Sequence, residues 1–207
     1  MNLKGRVGVF GGTFNPLHNA HIDVAKRAMT QCGLSEVLFV PNGVPPHKRH
    51  LDGVGKEDRF RMVELALATH EGLSASRIEI DREGPSYTID TIRALKDDYP
   101  QGICFIVGAD RLLELDTWKE PDALLESVPF VLAPRSGVSL ATFDSPPFDV
   151  ATIVPLEMRE VDLSSTWLRE LIHRGEAIEE WVPSAVAAYV QQRGLYRNRE
   201  LAQASSS

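Results

Sequence analysis

The feature that most constrains this chain is a set of short, almost wholly apolar segments recurring between longer stretches of helical periodicity. Arg6-Val7-Gly8-Val9-Phe10, Glu36-Val37-Leu38-Phe39-Val40, Ile103-Cys104-Phe105-Ile106-Val107, Phe130-Val131-Leu132-Ala133 and Thr152-Ile153-Val154 each read as strands, with Ser76 to Ile80 a further short one. Between them, Ile22, Ala25 and Met29, with Val24 and Ala28 beside them, form a helical stripe that stops at Gly33. Phe60, Val63, Leu65 and Leu67 belong to a second helix, and Thr88 to Lys96 to a third. The C-terminal third is helical over Thr166 to Arg174 and, after Pro183, over Ser184 to Gln192. A strand that is apolar at successive positions has to be covered on both faces. The pattern therefore predicts an α/β domain with a parallel sheet and helices on both sides. Ligands of such sheets bind beyond the carboxyl ends of the strands. The segments that matter most are then Gly11 to His21, Pro41 to Lys48, Gly108 to Asp110, and Pro134 to Gly137.

Composition narrows the class further. A chain of 207 residues with 43% hydrophobic and 25% charged residues is too apolar for disorder and has the length of one domain. That domain is expected over residues 1–200, with the small, polar tail Leu201–Ser207 frayed. No run of about 18 apolar residues occurs, and the N-terminus lacks the length and cleavage site of a signal peptide, so no membrane partner is expected. Cys32 and Cys104 are too few for a disulfide framework, which points to a reducing, cytoplasmic setting. A net charge of −7 argues against a nucleic-acid partner but leaves room for a small anionic ligand held by local cations. Ser136 to Phe148 reads as a loop, either mobile or facing a partner subunit, and leaves monomer and homo-oligomer both open.

The first strand ends in Gly11-Gly12-Thr13-Phe14-Asn15-Pro16-Leu17-His18-Asn19-Ala20-His21. This is neither a G-x-G-x-x-G fingerprint nor a Walker A loop. Two glycines still allow a close backbone approach. A helix beginning near Pro16 to His18 offers free N–H groups to an anion, with His18 and His21 on one face at that end. Singly, a Gly-Gly pair is commonly a turn and a histidine commonly a surface residue, and zinc binding would need a third ligand. Taken together, the segment resembles the nucleotidylyltransferase signature G-G-T-F-[DN]-P-x-H-x-G-H, a relative of the HIGH motif of class I aminoacyl-tRNA synthetases. Ala20 departs from it where that signature has glycine, and its methyl group is expected to crowd ATP slightly.

A second signature lies at Leu163-Ser164-Ser165-Thr166-Trp167-Leu168-Arg169. Ser164 or Ser165 suits the N-cap of a helix that stops at Gly175, but three hydroxyls exceed what one cap requires. Arg169 is read in the first turn, where the helix dipole favours an acid unless an anion binds. The segment resembles the same family's I-S-S-T-x-[IV]-R motif, whose helix end holds the outer phosphates of ATP.

Further segments resemble one branch of that family, the bacterial nicotinate-nucleotide adenylyltransferases of NAD biosynthesis. They are Pro41-Asn42-Gly43-Val44-Pro45-Pro46-His47-Lys48, Ser86-Tyr87-Thr88-Ile89-Asp90-Thr91, Gly108-Ala109-Asp110, Trp118 with Lys119, and Arg135. The resemblance runs from Arg6 to about Tyr196 and implies a Rossmann-like fold of the HIGH type. It implies transfer of AMP from ATP to nicotinate mononucleotide, giving deamido-NAD and pyrophosphate, with ATP carrying Mg2+. His18, His21 and Arg169 are the implied catalytic residues. ATP would lie against Gly11, Gly12, Thr13, Phe14 and the two histidines, against Gly108 and Asp110, and against Ser164, Ser165, Thr166 and Arg169. The mononucleotide would lie against Asn15, Lys48, Ser86, Tyr87, Thr88, Trp118 and Arg135. Competing readings are a sibling adenylyltransferase using nicotinamide mononucleotide or phosphopantetheine, and a module that senses ATP without turnover.

Overall fold

A computed structural model of the chain describes residues 3–46, 53–160 and 163–197. Six strands, β1 (Val7–Gly12), β2 (Glu36–Pro41), β3 (Leu73–Ala75), β4 (Ile103–Gly108), β5 (Phe130–Ala133) and β6 (Ile153–Pro155), lie in one sheet. Their order is β3-β2-β1-β4-β5-β6 and every pairing is parallel. The helices are α1 (Asn19–Cys32), α2 (Lys56–Leu67), α3 (Thr88–Lys96), α4 (Ala109–Leu112), α5 (Pro121–Ser127), α6 (Ser165–His173) and α7 (Ser184–Arg193).

The two faces of the sheet sort by the two-residue period of its strands. Phe10, Val37, Phe39, Cys104, Ile106, Val131 and Ala133 face one way, against α1, α2, α6 and α7. Val7, Val9, Leu38, Val40, Ile103, Phe105, Val107, Phe130 and Leu132 face the other, against α3, α4 and α5. Connections running outward from β1 through β2 to β3 put their helices on the first face. Those returning to β4 and continuing to β5 put theirs on the second. Crossovers of one hand give this result when the winding direction reverses. The reversal falls between β1 and β4, and at their carboxyl ends the two connections diverge to opposite faces and leave a crevice.

Three expectations are corrected. Ser76 to Ile80 is not a strand: the edge strand is Leu73–Ala75. Beyond it the Ser76 hydroxyl accepts from the Ile78 N–H at 3.3 Å, bending the chain into a turn that buries Ile80 as a plug. The helix after β1 starts at Asn19 rather than at Pro16 to His18. Finally, α6 starts at Ser165, which puts Arg169 in its second turn and not its first. The 136–148 segment is anchored by Phe143 and Phe148, both buried on the second face with their rings edge to face at 5.0 Å.

Gly8 sits mid-strand in β1, beneath the start of β2. A Cβ there would come within 2.8 Å of Ile106 Cδ1 and 2.9 Å of Leu34 Cδ1, both buried side chains with little room to move. Overpacking of this kind costs about 1–3 kcal/mol. Gly8→Val is therefore expected to lower the unfolding free energy by about that amount in urea titrations, with an unchanged m-value.

Candidate active site

The carboxyl end of β1 delivers the signature loop into the crevice. Phe14, at φ +46°, turns its ring inward beside Phe10 and Phe39. His21 stands edge-on to that ring at 5.1 Å, so the aromatic cluster supports the imidazole from below. Since Phe14 is itself buried, only its backbone is left to face a ligand. Gly12 allows this arrangement, because a Cβ there would press on the Phe14 ring at 3.0 Å.

The two histidines do not simply share a helical face. His18 is the N-cap of α1, and His21, three residues on, reaches back so that the His18 backbone N–H donates to its Nδ1 at 3.2 Å. In a capping box this is the task of Glu or Gln. The rings stack at 3.7 Å. A neutral His21 that accepts at Nδ1 carries its proton on Nε2, which makes that nitrogen the donor available to a ligand. Ala20, the departure from glycine, is the second residue of the helix and half-buried, in a conformation that suits alanine.

The C-terminal signature meets this loop directly. Ser164 caps α6 by accepting from the Trp167 N–H at 3.2 Å. The Ser165 hydroxyl donates to the Pro16 carbonyl at 2.9 Å, and Arg169 Nη1 donates to the Asn15 carbonyl at 3.0 Å. The same guanidinium lies 3.4 Å from Thr166 Oγ1 through Nη2. Two segments about 150 residues apart are thus hydrogen-bonded to each other.

Gly108 and Asp110 lie across the crevice at the end of β4. A side chain at 108 would meet Asp110 Oδ1 at 2.7 Å, so glycine lets that carboxylate fold back over the strand end. Asp110 in turn lies 3.7 Å from Arg135 Nε, which follows β5, while Arg135 Nη1 approaches the Leu163 carbonyl at 3.5 Å. The mononucleotide candidates form a separate group. Ser86 Oγ accepts from the N–H groups of Gly43 and Val44, at 3.0 and 3.3 Å, and so joins the loop after β2 to the start of α3. Tyr87 is the N-cap of α3 and offers no side-chain acceptor to it. Thr88 is the first residue of that helix. Trp118 stands edge-on to Phe105 at 6.2 Å and is half-buried. Asn15 is not in this group: its side chain is buried and accepts from the Tyr196 hydroxyl at 2.6 Å. His47 and Lys48 lie outside the described residues.

Three residues of the site's framework escape sequence reasoning. Arg59, fully buried on α2, donates to the carbonyls of Thr13, Asn42 and Gly43 and so ties the loops after β1 and β2 together. Buried Glu79 accepts from Asn42 Nδ2 at 2.9 Å and Thr91 Oγ1 at 2.6 Å. Tyr196, near the C-terminus, reaches Asn15. Only Arg59 leaves a signal in the sequence: positions 59, 60, 62, 63, 66 and 67 form the buried stripe of α2, and an arginine on such a stripe marks a buried charge.

Comparison with known proteins decides the family. The cytidylyltransferase-like family model matches residues 9–171, a span that contains both signatures. The chain is 41% identical over 196 residues to a Geobacillus kaustophilus protein named as a probable nicotinate-nucleotide adenylyltransferase, covering 94% of this chain and 88% of that one. It is 36% identical to the Bacillus subtilis nicotinate-nucleotide adenylyltransferase over 197 residues, 93% of this chain and 99% of the other. The chain belongs to the nicotinate-nucleotide adenylyltransferases. Its fold is also that of the Plasmodium falciparum nicotinic acid mononucleotide adenylyltransferase solved with NaAD, at a TM-score of 0.79 and 16% identity over 93% of this chain and 97% of that one.

For an adenylyltransferase, whose ligands are polyanions, the charge state of the crevice is decisive. Burial, aided by the Arg135 guanidinium, pushes the His18 pKa down to about 3. Burial, then His18, then Arg135 push His21 well below its ordinary value. Both imidazoles are therefore neutral N–H donors at pH 7, and among the described residues Arg135 and Arg169 bring full positive charge to the crevice. Among the described residues no cluster of three or more His, Cys, Asp or Glu side chains gathers as a metal cage. The donors facing the crevice are N–H groups and guanidiniums, which suit phosphate oxygens.

The same burial makes stability depend on pH. The unfolded chain protonates a histidine near pH 6.5, whereas folded His18 stays neutral to about pH 3. Between those values the unfolded state binds more protons, so stability falls as pH drops through the window, by up to about 1.4 kcal/mol per pH unit per histidine. Urea unfolding at pH 7, 6 and 5 is expected to show this decline. His18→Asn should make the slope shallower by about one histidine's share. An unchanged slope in the variant would mean that folded His18 is protonated.

Proposed function

We propose that the protein joins the 5′-phosphate of nicotinate mononucleotide to the AMP moiety of ATP, releasing pyrophosphate and forming deamido-NAD. The observation that carries this reading is the hydrogen-bonded meeting of the two signatures, Ser165 on Pro16 and Arg169 on Asn15, beside the His18–His21 pair. A phosphate oxygen of the mononucleotide attacks the α-phosphorus of ATP. The bond from that phosphorus to the oxygen bridging to the β-phosphorus breaks, and pyrophosphate leaves with its Mg2+. The nucleophile is already an anion, so no general base is required. The protein's task is to align two mutually repelling anions and to stabilise charge on the transferring and leaving phosphates.

In this reading Ser164, Ser165, Thr166 and the start of α6 receive the outer phosphates with Arg169. The N–H donors of His18 and His21 face the α-phosphate, Gly11 to Phe14 follow the triphosphate with their backbone, and Gly108 and Asp110 adjoin the nucleoside. Lys48 and Arg135 hold the incoming phosphate. Trp118 stacks on the pyridine ring. The substrate carboxylate meets the N–H groups at the start of α3, where Ser86 sets the loop and neither Tyr87 nor Thr88 makes a side-chain cap. The one acid of that first turn, Asp90, is drawn off by Lys119 at 3.0 Å, leaving the positive end of the helix open to an anion and favouring nicotinate over neutral nicotinamide. Cys32 and Cys104 are free thiols, which supports a cytoplasmic setting. Among the described residues no helix is long and apolar enough to cross a membrane.

Pyrophosphate release from ATP and Mg2+ with nicotinate mononucleotide, nicotinamide mononucleotide or phosphopantetheine offered in turn tests the reading. Nicotinate mononucleotide should be used fastest. A faster rate with either alternative, or no release with any, overturns it. His18→Ala is expected to lower turnover by about 10²–10³-fold, as loss of a donor aimed at the transition state does, while weakening mononucleotide binding far less. Trp118→Ala should raise the KM for the mononucleotide about tenfold, in line with a lost aromatic stack, and leave the KM for ATP nearly unchanged. A matching rise for ATP would move Trp118 out of the pyridine site.

A further inference from the structure

Among the described residues three non-glycine residues have φ in the left-handed region, Phe14, Glu120 and Tyr196, and two of them flank a single hydrogen bond. Phe14 immediately precedes Asn15, whose Oδ1 accepts from the Tyr196 hydroxyl at 2.6 Å. An aromatic residue enters that backbone region only where its surroundings enforce it, and such positions cluster where geometry serves function. Tyr196 is 3% exposed, lies beyond the Gly194 stop of α7, and packs with its oxygen 4.0 Å from Met62 Sδ on α2. It is remote in sequence from both signatures, and its hydroxyl is spent on Asn15 rather than turned to the crevice.

We infer that Tyr196 is a positioning residue for the adenylyl transfer, setting the Asn15 side chain so that the loop from Phe14 to His18 holds the imidazole pair at the transferring phosphate. The inference rests on the functional reading above. The Asn15 backbone carbonyl is taken by Arg169 and the neighbouring Thr13 carbonyl by Arg59, so the loop's main chain is held from α6 and α2. Tyr196 adds a lock on the Asn15 side chain. Turnover in a reaction governed by alignment falls steeply when the reacting groups are displaced by as little as 1 Å or so. Removing the lock should therefore act on the chemical step more than on the affinity for either substrate.

Tyr196→Phe removes one oxygen and keeps the packed ring. Its natural comparison is Tyr189→Phe, which also removes a hydroxyl from the C-terminal segment. That hydroxyl donates to Asp58 on α2 at 2.7 Å and does not touch the loop. Tyr196→Phe is expected to lower kcat roughly tenfold, with both KM values changed less than twofold, and to shift the imidazole resonances of His18 and His21 in the ligand-free protein. Tyr189→Phe should leave kcat and those resonances as they are, whatever it does to the melting temperature. Equal kinetics and unmoved resonances in Tyr196→Phe would overturn the inference, as would the same loss in both variants, since that would make the effect one of stability. Moved resonances in an intact protein with no transferase activity would instead overturn the functional reading and leave the structural coupling standing.

Discussion

The structure depends on a row of main-chain carbonyls, those of Thr13, Asn15 and Pro16, which point away from regular secondary structure just beyond the central strand. In the proposed reading this loop presents backbone N–H groups to a triphosphate, and its own carbonyls then need donors from outside the loop. Acceptors left buried without donors cost about 1–3 kcal/mol each. Here the donors come from elsewhere: Arg59 on α2 for Thr13, Arg169 on α6 for Asn15 and the Ser165 hydroxyl for Pro16. The requirement to satisfy one loop thereby brings together an early strand, a middle helix and a C-terminal helix. The meeting of the two signatures is the same requirement seen from the ligand's side.

The second constraint is electrostatic. Stacked histidines beside an arginine would repel each other and the arginine if charged, and burial already disfavours their protonation. Holding them neutral removes that repulsion in the free protein and still leaves donors at the crevice. Their relation also explains a rigid geometry. Because His21 accepts the N-cap N–H of its own helix, its tautomer and ring plane follow from the start of α1, and His18 is fixed by stacking on it. Preorganised donors of this kind cost no reorganisation when charge develops in the transition state.

Much of this was legible in the chain itself, for identifiable reasons. Strands that are apolar on both faces admit few arrangements, so the parallel, doubly covered sheet follows from Glu36–Val40 and Ile103–Val107 almost alone. The two signatures were legible because both segments resemble motifs of one family and occur in order, whereas singly each reads as a turn or a capped helix. What escaped notice was long-range satisfaction of polar groups. Nothing local marks Tyr196 as the partner of Asn15 or Glu79 as the partner of Asn42, since each pair forms only after the chain has folded. The false strand at Ser76 to Ile80 had the opposite cause. Alternating isoleucines mimic a strand, but a serine side chain captured the backbone N–H two residues on and diverted the chain from the sheet edge.

An acidic protein that handles two anions must keep its own carboxylates from competing for the cations at the site. With a net charge of −7 the background field opposes both substrates, so what counts is where the acids are held. Asp90, at the start of α3, is taken by Lys119 on the neighbouring turn, and Glu120 by Arg93 at 2.6 Å. Glu79, buried beside the β2 loop, is committed to two neutral donors, Asn42 and Thr91. Asp110 is the exception, 3.7 Å from Arg135 at the mouth of the crevice. At that separation and partial exposure the pair is weak, of the order of 1 kcal/mol or less, so a doubly charged phosphate can outcompete the carboxylate for the guanidinium. Asp110 would then be left to accept hydroxyl groups of the nucleoside. In the proposed reading one carboxylate would thus hold the guanidinium until phosphate arrives and then accept from neutral groups.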